Sequence, residues 1–307
     1  MTDFRYGLCL LGAIAVGLAM MAWLYGKEGA SRKAAYVFAP LAIIFGAAGA
    51  RLFALVFSWL GACPRGPLFS LEPTLYAMGG AVLGVIGACA LAAKLTGSAL
   101  GPLADALAPA GMLTAALARC AEVFAQFGGA PEIENGPTLF PLAAQYGDGS
   151  WHMTVFFLEA IFAFAALGYA LNMRTEKPGE RFVLTLSFFG MAQVLCESLR
   201  EHTINLGFIG VQQLLYIAMA FVFLAIYAKI LAAKPYKKKE PIELLCWVTS
   251  IECALVIVMM EYAMDHWVLP AALDYVIMAM AVCGLFFSVR LIVRRATRNE
   301  DVPWKDR

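Results

Sequence analysis

Nine apolar runs, each long enough to cross a bilayer, alternate along the chain with shorter polar segments. A helix rises about 1.5 Å per residue and the hydrocarbon core is roughly 30 Å thick, so a span needs about 20 predominantly apolar residues. The pattern therefore predicts an all-α polytopic membrane protein with about nine transmembrane helices. The predicted spans are 6–26, 34–60, 73–94, 103–126, 151–172, 181–200, 206–232, 241–263 and 269–293.

Basic residues in alternate loops predict the orientation of these helices, because cytoplasmic loops carry an excess of Lys and Arg. Such clusters follow the first, third, fifth and seventh helices and also occupy the tail, whereas the intervening loops are poor in Lys and Arg. The pattern predicts an N-terminus outside and a C-terminus in the cytoplasm. The basic residues are Lys27, Arg32, Lys33, Lys94, Arg174, Lys177, Arg181, Lys234, Lys237, Lys238, Lys239, Arg290, Arg294, Arg295 and Arg298.

Composition supports the membrane prediction and narrows the possible partners. Hydrophobic residues make up 62% of the chain and charged residues 15%, and the mean hydropathy is +0.74, values typical of a membrane protein. A net charge of +1, without a basic face interleaved with aromatic residues, does not favour a nucleic-acid partner. The eight cysteines contain no CxxC pair, so we interpret them as small packing residues. We expect neither a metal nor a cofactor.

The segment 101–129 is apolar enough to cross a bilayer, yet it contains Asp105, Arg119 and Glu122. An ionisable side chain within a membrane needs a partner, a watery cavity or a ligand, which makes each of these residues a candidate for function. The alternative is a buried ion pair that only ties helices together.

Polar side chains of six predicted helices lie at one depth, in the outer leaflet, when a rise of about 1.5 Å per residue is applied along each helix. Asp105 is the exception, because it lies at the cytoplasmic end of its helix. The residues of this polar layer are Arg51, Met78, Gly79, Gly80, Arg119, Glu122, His152, Glu159, Gln193, Glu197, Arg200, Gln212 and Gln213.

Two kinds of explanation fit this layer. Salt bridges within single helices, from Arg119 to Glu122 and from Glu197 to Arg200, together with long side chains that reach the headgroups, would be purely structural. Alternatively, the layer is a site for an anionic lipid headgroup, since the planar fork of Arg suits phosphate and a nearby carboxylate or imidazole can move a proton.

Several segments of the chain resemble, in collinear order, the prolipoprotein diacylglyceryl transferases of bacterial plasma membranes. The likeness covers roughly residues 5–232. The segments are GARLFALVF at 49–57, MGGAVLG at 78–84, ADALAPAGMLTAALARCAEVF at 104–124, GPTLFPL at 136–142, WHMTVFFLEA at 151–160, QVLCESLR at 193–200 and GFIGVQQLL at 207–215.

The resemblance implies transfer of a diacylglyceryl group from phosphatidylglycerol, or a related anionic phospholipid, to the thiol of a lipobox cysteine in a lipoprotein precursor. It implies that Arg51 and Arg119 bind the phosphate, that Glu197 orients one of these arginines, and that His152 or Glu122 transfers the proton. The other substrate-binding residues it implies are Gly79, Gly80, Arg200 and Gln213.

Four positions depart from the family pattern. Met78 stands where the family has His or Tyr, Gln193 where it has Arg, and Glu122 where it has Asn, while Phe127 occupies the spacing of an acidic residue. These departures leave open a relative that binds phospholipid or lipoprotein without transfer, and an unrelated solute transporter is a third possibility.

The resemblance also predicts how the chain is divided. We expect a transferase-like membrane domain at 1–232, a basic cytoplasmic linker at 233–240, two additional helices at 241–293 and a cytoplasmic tail at 294–307. The outer loop at 127–150 is long enough to lie over the site, although a simple connector fits equally well. No role is assigned to the acids of the last two helices, Glu252, Glu261, Asp265 and Asp274.

Overall fold

A computed structural model describes ten segments of the chain, and these residues form nine α-helices and two small antiparallel sheets. The described segments are 4–60, 66–67, 75–124, 132–133, 138–146, 149–200, 205–206, 209–226, 241–266 and 270–297. The helices are α1 (Phe4–Leu24), α2 (Arg32–Trp59), α3 (Met78–Thr96), α4 (Leu100–Ala121), α5 (Val155–Asn172), α6 (Glu180–Ser198), α7 (Val211–Ile226), α8 (Pro241–Asp265) and α9 (Ala271–Thr297). The strands are β1 (Ala143–Gln145), β2 (Trp151–Met153), β3 (Asn205–Leu206) and β4 (Ile209–Gly210), paired β1 with β2 and β3 with β4.

Within the described residues, seven helices are long and apolar enough to cross a membrane, namely α1 to α5, α8 and α9. The described part of α7, Val211–Ile226, covers 16 residues, and α6 carries Glu180, Arg181, Gln193 and Glu197 within its 19 residues. Helix α6 packs against α4, α5, α7 and α9, so its polar side chains are surrounded by protein. The prediction of an all-α polytopic membrane protein is confirmed, and the orientation of its termini stays a prediction.

The bounds of the predicted helices are wrong in two places that border the candidate site. The fifth helix was predicted to begin at 151, but Trp151–Met153 form β2, which pairs with β1, and the helix begins at Val155. The seventh was predicted to begin at 206, where the strands β3 and β4 lie instead. A short apolar run has the same composition in a strand as in a helix, which explains both errors.

Glycines bring α2 and α3 into close contact. A Cβ atom added to Gly80 would lie 2.4 Å from the carbonyl oxygen of Gly49, and one added to Gly84 would lie 2.0 Å from that of Phe45. Small residues at such positions allow helix backbones to approach each other in a membrane. This contact fixes the position of the start of α3, where Met78 lies.

Asp105 caps the first turn of α6 from the neighbouring helix α4. Its Oδ2 accepts the backbone N–H of Gly179 at 2.6 Å, and its Oδ1 accepts that of Phe182 at 2.9 Å. The first N–H groups of a helix have no partner within the helix, so a carboxylate placed there satisfies them. Beside this cap, Arg181 of α6 forms an ion pair with Glu28. Asp105 therefore has an architectural role.

The two C-terminal helices share a hydrophobic core with α6 and α7. Leu285 and Val289 of α9 belong to the same buried cluster as Val183 of α6 and Leu224 of α7. The Tyr275 hydroxyl of α9 also donates to the carbonyl oxygen of Ser198 at 3.1 Å. The predicted linker at 233–240 lies outside the described residues, and α9 continues to Thr297, into the predicted tail.

Candidate functional site

Arg119, in the last turn of α4, is buried, and each edge of its guanidinium group meets a protein side chain. Its Nε lies 2.7 Å from Oε2 of Glu159 on α5. Its Nη1 donates to Oε1 of Glu122, which lies in the single 3-10 turn that follows α4. Its Nη2 lies 2.7 Å from the sulfur of Met78 on α3. Three segments of the fold therefore hold one arginine in place.

Arg200, two residues beyond the end of α6, joins the same cluster. Its Nη2 lies 2.6 Å from Oε2 of Glu159 and 3.5 Å from Oε2 of Glu122. The ion pair that the sequence spacing suggested, from Glu197 to Arg200, is replaced by these two contacts. Arg119, Arg200, Glu122 and Glu159 thus form a closed ring of two positive and two negative side chains, which we call the ionic ring.

Burial of the ionic ring requires the pairing that it shows. Glu159 is 0% exposed and Arg119 is 8% exposed. A buried charge without a partner loses several kcal/mol of hydration, so each member depends on its opposite neighbours. The ring accordingly ties α4, α5 and the end of α6 together. It also places two arginines side by side, an arrangement suited to a phosphate group.

Some buried polar atoms of α6 and α7 have no hydrogen bond in the part of the chain that the structure describes. They include both amide atoms of Gln193, both carboxyl oxygens of Glu197 and the hydroxyl of Tyr216. Glu197 interacts electrostatically with Arg200 and Arg119, and Tyr216 with Glu197. Buried polar atoms in proteins are nearly always paired, so these groups are candidates for ligand contacts.

His152 lies on β2, in the two-stranded sheet that precedes α5. Its Nε2 is 2.8 Å from the hydroxyl oxygen of Ser150, and its ring stacks on Tyr146 with centroids 4.2 Å apart. Burial raises the pKa of Tyr146 above its ordinary value; the Glu122 carboxylate raises it further, whereas Arg200 lowers it. Tyr146 therefore stays a neutral phenol at neutral pH. Its electrostatic interactions with Glu122 and Arg200 show that the sheet that carries His152 lies near the ionic ring.

Arg51 of α2 donates to the carbonyl oxygen of Leu75 at 2.8 Å and to that of Pro67. Its guanidinium carbon also lies 6.0 Å from the centroid of the Tyr76 ring. These contacts direct Arg51 toward the connection between α2 and α3. The side chain is 6% exposed, so it is held within the protein.

Gly79 and Gly80, which follow Met78 at the start of α3, both pack against neighbouring helices. The backbone N–H of Gly79 donates to Oε1 of Gln212 at 3.1 Å, and a Cβ atom there would lie 2.5 Å from Cδ2 of Leu215. Gly80 faces α2, as described above. The pair therefore joins α3 to α7 on one side and to α2 on the other.

Gln213 of α7 connects α6 to α8. Its Nε2 donates to the carbonyl oxygen of Val194 at 3.2 Å and to Oε1 of Glu261 at 2.6 Å, and its Oε1 accepts the backbone N–H of Gly210 at 3.0 Å. Gln213 thus supports the face of α6 that carries Glu197, and it does so with help from an acid of α8.

The structure brings Arg119, Glu122 and Arg200 into direct contact and places Glu197 beside them. Sequence reasoning assigned no role to Glu159, although it is the only charged residue in the apolar run 155–172 and that isolation was a usable signal. Tyr216 had no such signal, because a single aromatic residue in an apolar helix is common. Phe127, one of the four departures, lies outside the described residues.

Comparison with known proteins gives a consistent match. A family model described as prolipoprotein diacylglyceryl transferase matches residues 4–229. A Bacillus anthracis protein named phosphatidylglycerol–prolipoprotein diacylglyceryl transferase is 24% identical over 236 residues, which cover 71% of this chain and 84% of that protein. A protein of the same name from Mycobacteroides abscessus is 31% identical over 142 residues, 44% of this chain and 40% of that protein. The family match ends before α8 begins.

Proposed function

The chain belongs to the prolipoprotein diacylglyceryl transferase family, and from that premise we propose that it transfers the diacylglyceryl group of phosphatidylglycerol to the lipobox cysteine of a lipoprotein precursor. The thiol sulfur forms a bond to the terminal glycerol carbon of the diacylglyceryl group. The bond from that carbon to the phosphate oxygen breaks, and glycerol phosphate leaves with the electron pair. The thiol proton passes to a base of the protein.

The pair of neighbouring arginines, Arg119 and Arg200, carries this proposal. Arg119 and Arg200 both contact Glu159 Oε2, at 2.7 and 2.6 Å, so their guanidinium groups are held next to each other. Charge develops on the leaving phosphate as the carbon–oxygen bond breaks, and preorganised cations stabilise that charge without reorganising. We assign Arg119 and Arg200 to binding of the phosphate. We assign Arg51, which contacts the connection between α2 and α3, to binding of the same phospholipid.

The remaining roles follow from position around the ionic ring. Glu197 orients Arg200 or Arg119 when substrate is bound, and Gln213 supports that face of α6. His152 or Glu122 accepts the thiol proton, because the thiolate is the nucleophilic form of cysteine and requires a base nearby. Gly79 and Gly80 act through packing, because they let α3 lie against α7 and α2 and so place Met78 beside Arg119.

The location of the reaction follows from the predicted orientation of the helices. With the N-terminus outside and the C-terminus in the cytoplasm, the ionic ring lies in the outer leaflet of the bacterial plasma membrane. Phosphatidylglycerol would then reach the ring laterally through the lipid, and the precursor would reach it from the outer face.

The test is release of glycerol phosphate by the purified full-length protein in detergent, given phosphatidylglycerol and a lipobox peptide. We expect release that depends on the peptide cysteine and is lost in Arg119→Ala. Arg119→Lys is the matched control: it keeps the charge but cannot contact both Glu122 and Glu159 as a planar fork, so it should retain only a small fraction of the rate. Equal release by wild type and Arg119→Ala would refute the assignment.

Two observations favour a second candidate, a relative that binds phospholipid or lipoprotein without transfer. Met78 offers Arg119 only a sulfur, which is a weak hydrogen-bond acceptor and takes no proton. Gln193, at a position where the family has Arg, provides no charge for the phosphate. Binding of phosphatidylglycerol by wild type, abolished in Arg119→Ala but accompanied by no glycerol phosphate release, would establish this second function.

A further inference from the structure

We propose that Glu122 lowers the affinity of the site for its ligand: its carboxylate occupies the place of a phosphate ester on Arg119 and Arg200, and an anionic headgroup binds by displacing it. The inference rests on the proposed function insofar as it takes the ionic ring to be the phosphate site. It concerns binding alone, so it can be tested without turnover.

The geometry of Glu122 matches that of a bound anion. One carboxyl oxygen accepts from Nη1 of Arg119, and the other lies 3.5 Å from Nη2 of Arg200. A phosphate ester would present two oxygens to the same two guanidinium groups, since Arg binds both carboxylates and phosphates through its planar fork. The two anions therefore compete for one set of donors.

Glu159 contacts the same arginines but is built in differently. A single oxygen of Glu159 lies 2.7 Å from Arg119 Nε and 2.6 Å from Arg200 Nη2, and the residue is 0% exposed within α5. These are short charge-assisted contacts, and the helix backbone fixes their position. Glu159 is thus the anchor that holds the two arginines side by side.

Glu122 differs from Glu159 in its backbone support and in the number of its short contacts to the arginines. It lies in the 3-10 turn Glu122–Phe124, beyond the last residue of α4. Each carboxylate has one oxygen without a hydrogen bond within the described residues. Glu159, however, has short contacts to both arginines, whereas Glu122 has one only to Arg119, because 3.5 Å to Arg200 exceeds the ordinary range for N–H to O contacts. Movement of this one side chain would open donors on both arginines while the contacts to Glu159 persist.

Charge balance supports the same conclusion. Arg119 and Arg200 face three carboxyl groups nearby, those of Glu122, Glu159 and Glu197. An additional phosphate would enter a group already rich in acids, and this is unfavourable unless one carboxylate leaves the arginines. A neutral side chain of the same shape at position 122 removes the competitor and leaves the donors in place.

The experiment compares Glu122→Gln with Glu159→Gln, two nearly isosteric changes that each remove one negative charge from the ionic ring. The full-length protein is placed in phosphatidylcholine nanodiscs, and its affinity is measured for phosphatidylglycerol, glycerol phosphate and inorganic phosphate. We expect Glu122→Gln to bind phosphatidylglycerol about tenfold more tightly than wild type, the effect of removing one competing charge-assisted contact. We expect Glu159→Gln to bind it more weakly, because the arginines lose their anchor.

The three ligands separate the possible sources of the anion. A gain for phosphatidylglycerol alone assigns the site to the lipid headgroup, and an equal gain for glycerol phosphate assigns it to the phosphate ester whether free or in lipid. An unchanged or lower affinity of Glu122→Gln for all three ligands overturns the inference. An equal gain in Glu122→Gln and Glu159→Gln also overturns it, because a general change of charge would then suffice.

Two controls keep the result interpretable. Glu122→Asn, which is neutral and shorter, carries the same expectation and serves if Glu122→Gln is not monodisperse. Release of glycerol phosphate is measured separately: a wild type that binds phosphatidylglycerol without releasing glycerol phosphate refutes the transfer activity but leaves the competition by Glu122 standing. A wild type that catalyses transfer while Glu122→Gln gains no affinity refutes the competition alone.

Discussion

Glu159 Oε2 lies 2.7 Å from Arg119 Nε, and this buried ion pair joins α5 to the last turn of α4. Because the same oxygen also contacts Arg200, loss of this one carboxylate would leave both arginines with Glu122 as their only partner in the ionic ring. Removal of one partner from a buried ion pair typically costs about 3–5 kcal/mol. Glu159→Leu should therefore lower the thermal unfolding temperature in detergent far more than a surface change such as Glu176→Leu, and a melting temperature equal to that of wild type would contradict the arrangement.

His152 should affect turnover more than lipid binding if it accepts the thiol proton. We expect His152→Gln to lower the rate of glycerol phosphate release by about 100-fold, the ordinary contribution of a general base, with little change in the affinity for phosphatidylglycerol. Ser150→Ala, which removes the 2.8 Å contact to Nε2, should cause a smaller loss. If His152→Gln keeps the full rate while Glu122→Gln loses it, the base is Glu122.

Asp105 should contribute to stability and not to ligand affinity. Asp105→Ala leaves the N–H groups of Gly179 and Phe182 without their acceptor, at a cost of about 2 kcal/mol for a lost helix cap. Asp105→Asn keeps one acceptor oxygen and should lose less. Thermal unfolding gives the stability, and phosphatidylglycerol titration of the folded fraction should give the wild-type affinity for both variants.

The two glycines at the start of α3 should differ in their tolerance of a methyl group. In Gly80→Ala the new carbon would lie 2.4 Å from the backbone oxygen of Gly49, so α2 and α3 must separate. In Gly79→Ala it would meet the flexible end of Leu215, which can move aside. Overpacking of this kind costs about 1–3 kcal/mol, and we expect a loss in that range for Gly80→Ala and a smaller one for Gly79→Ala in thermal unfolding. The reverse order would show that the interface between α2 and α3 is looser than described.

Glu261 should be needed for the stability of the region that matches the family. Glu261→Leu leaves Gln213 Nε2 with only the longer hydrogen bond, to the carbonyl oxygen of Val194. We expect the free energy of unfolding to fall by about 1–3 kcal/mol, the usual cost of removing a partner from a buried hydrogen bond. Glu261→Gln keeps an acceptor at the same place and should behave like wild type. Equal thermal stability of Glu261→Leu and Glu261→Gln would show that the bond contributes nothing.

The helices were predictable from the sequence because each depends on a local run of apolar residues. The position of Arg119 and Glu122 near the end of the fourth helix was predictable for a similar reason, since distance along a helix depends only on the rise per residue. The strand Trp151–Met153 was not predictable in this way, because it exists through pairing with Ala143–Gln145, a segment that shows no strong strand pattern of its own.

The partners of Arg200 show where local reasoning stops. Helical spacing predicted a pair with Glu197, but α6 ends at Ser198, so Arg200 is not one helical turn above Glu197 and reaches Glu122 and Glu159 instead. Those partners come from α5 and from the turn after α4. Contacts of this kind depend on which helices are neighbours, and a single sequence does not contain that information in any local form.

The hydrogen bond between Gln213 and Glu261 has a consequence for the insertion of the helices into the membrane during synthesis. Gln213 is synthesised before Glu261, so α7 must enter the bilayer while its buried amide still lacks the acceptor that α8 will bring. Two consecutive glutamines near its start, Gln212 and Gln213, lower the tendency of α7 to insert by itself. We therefore expect α7, the last helix of the region that matches the family, to reach its final position only when α8 follows it into the membrane. The two C-terminal helices would then assist the assembly of the helices that precede them.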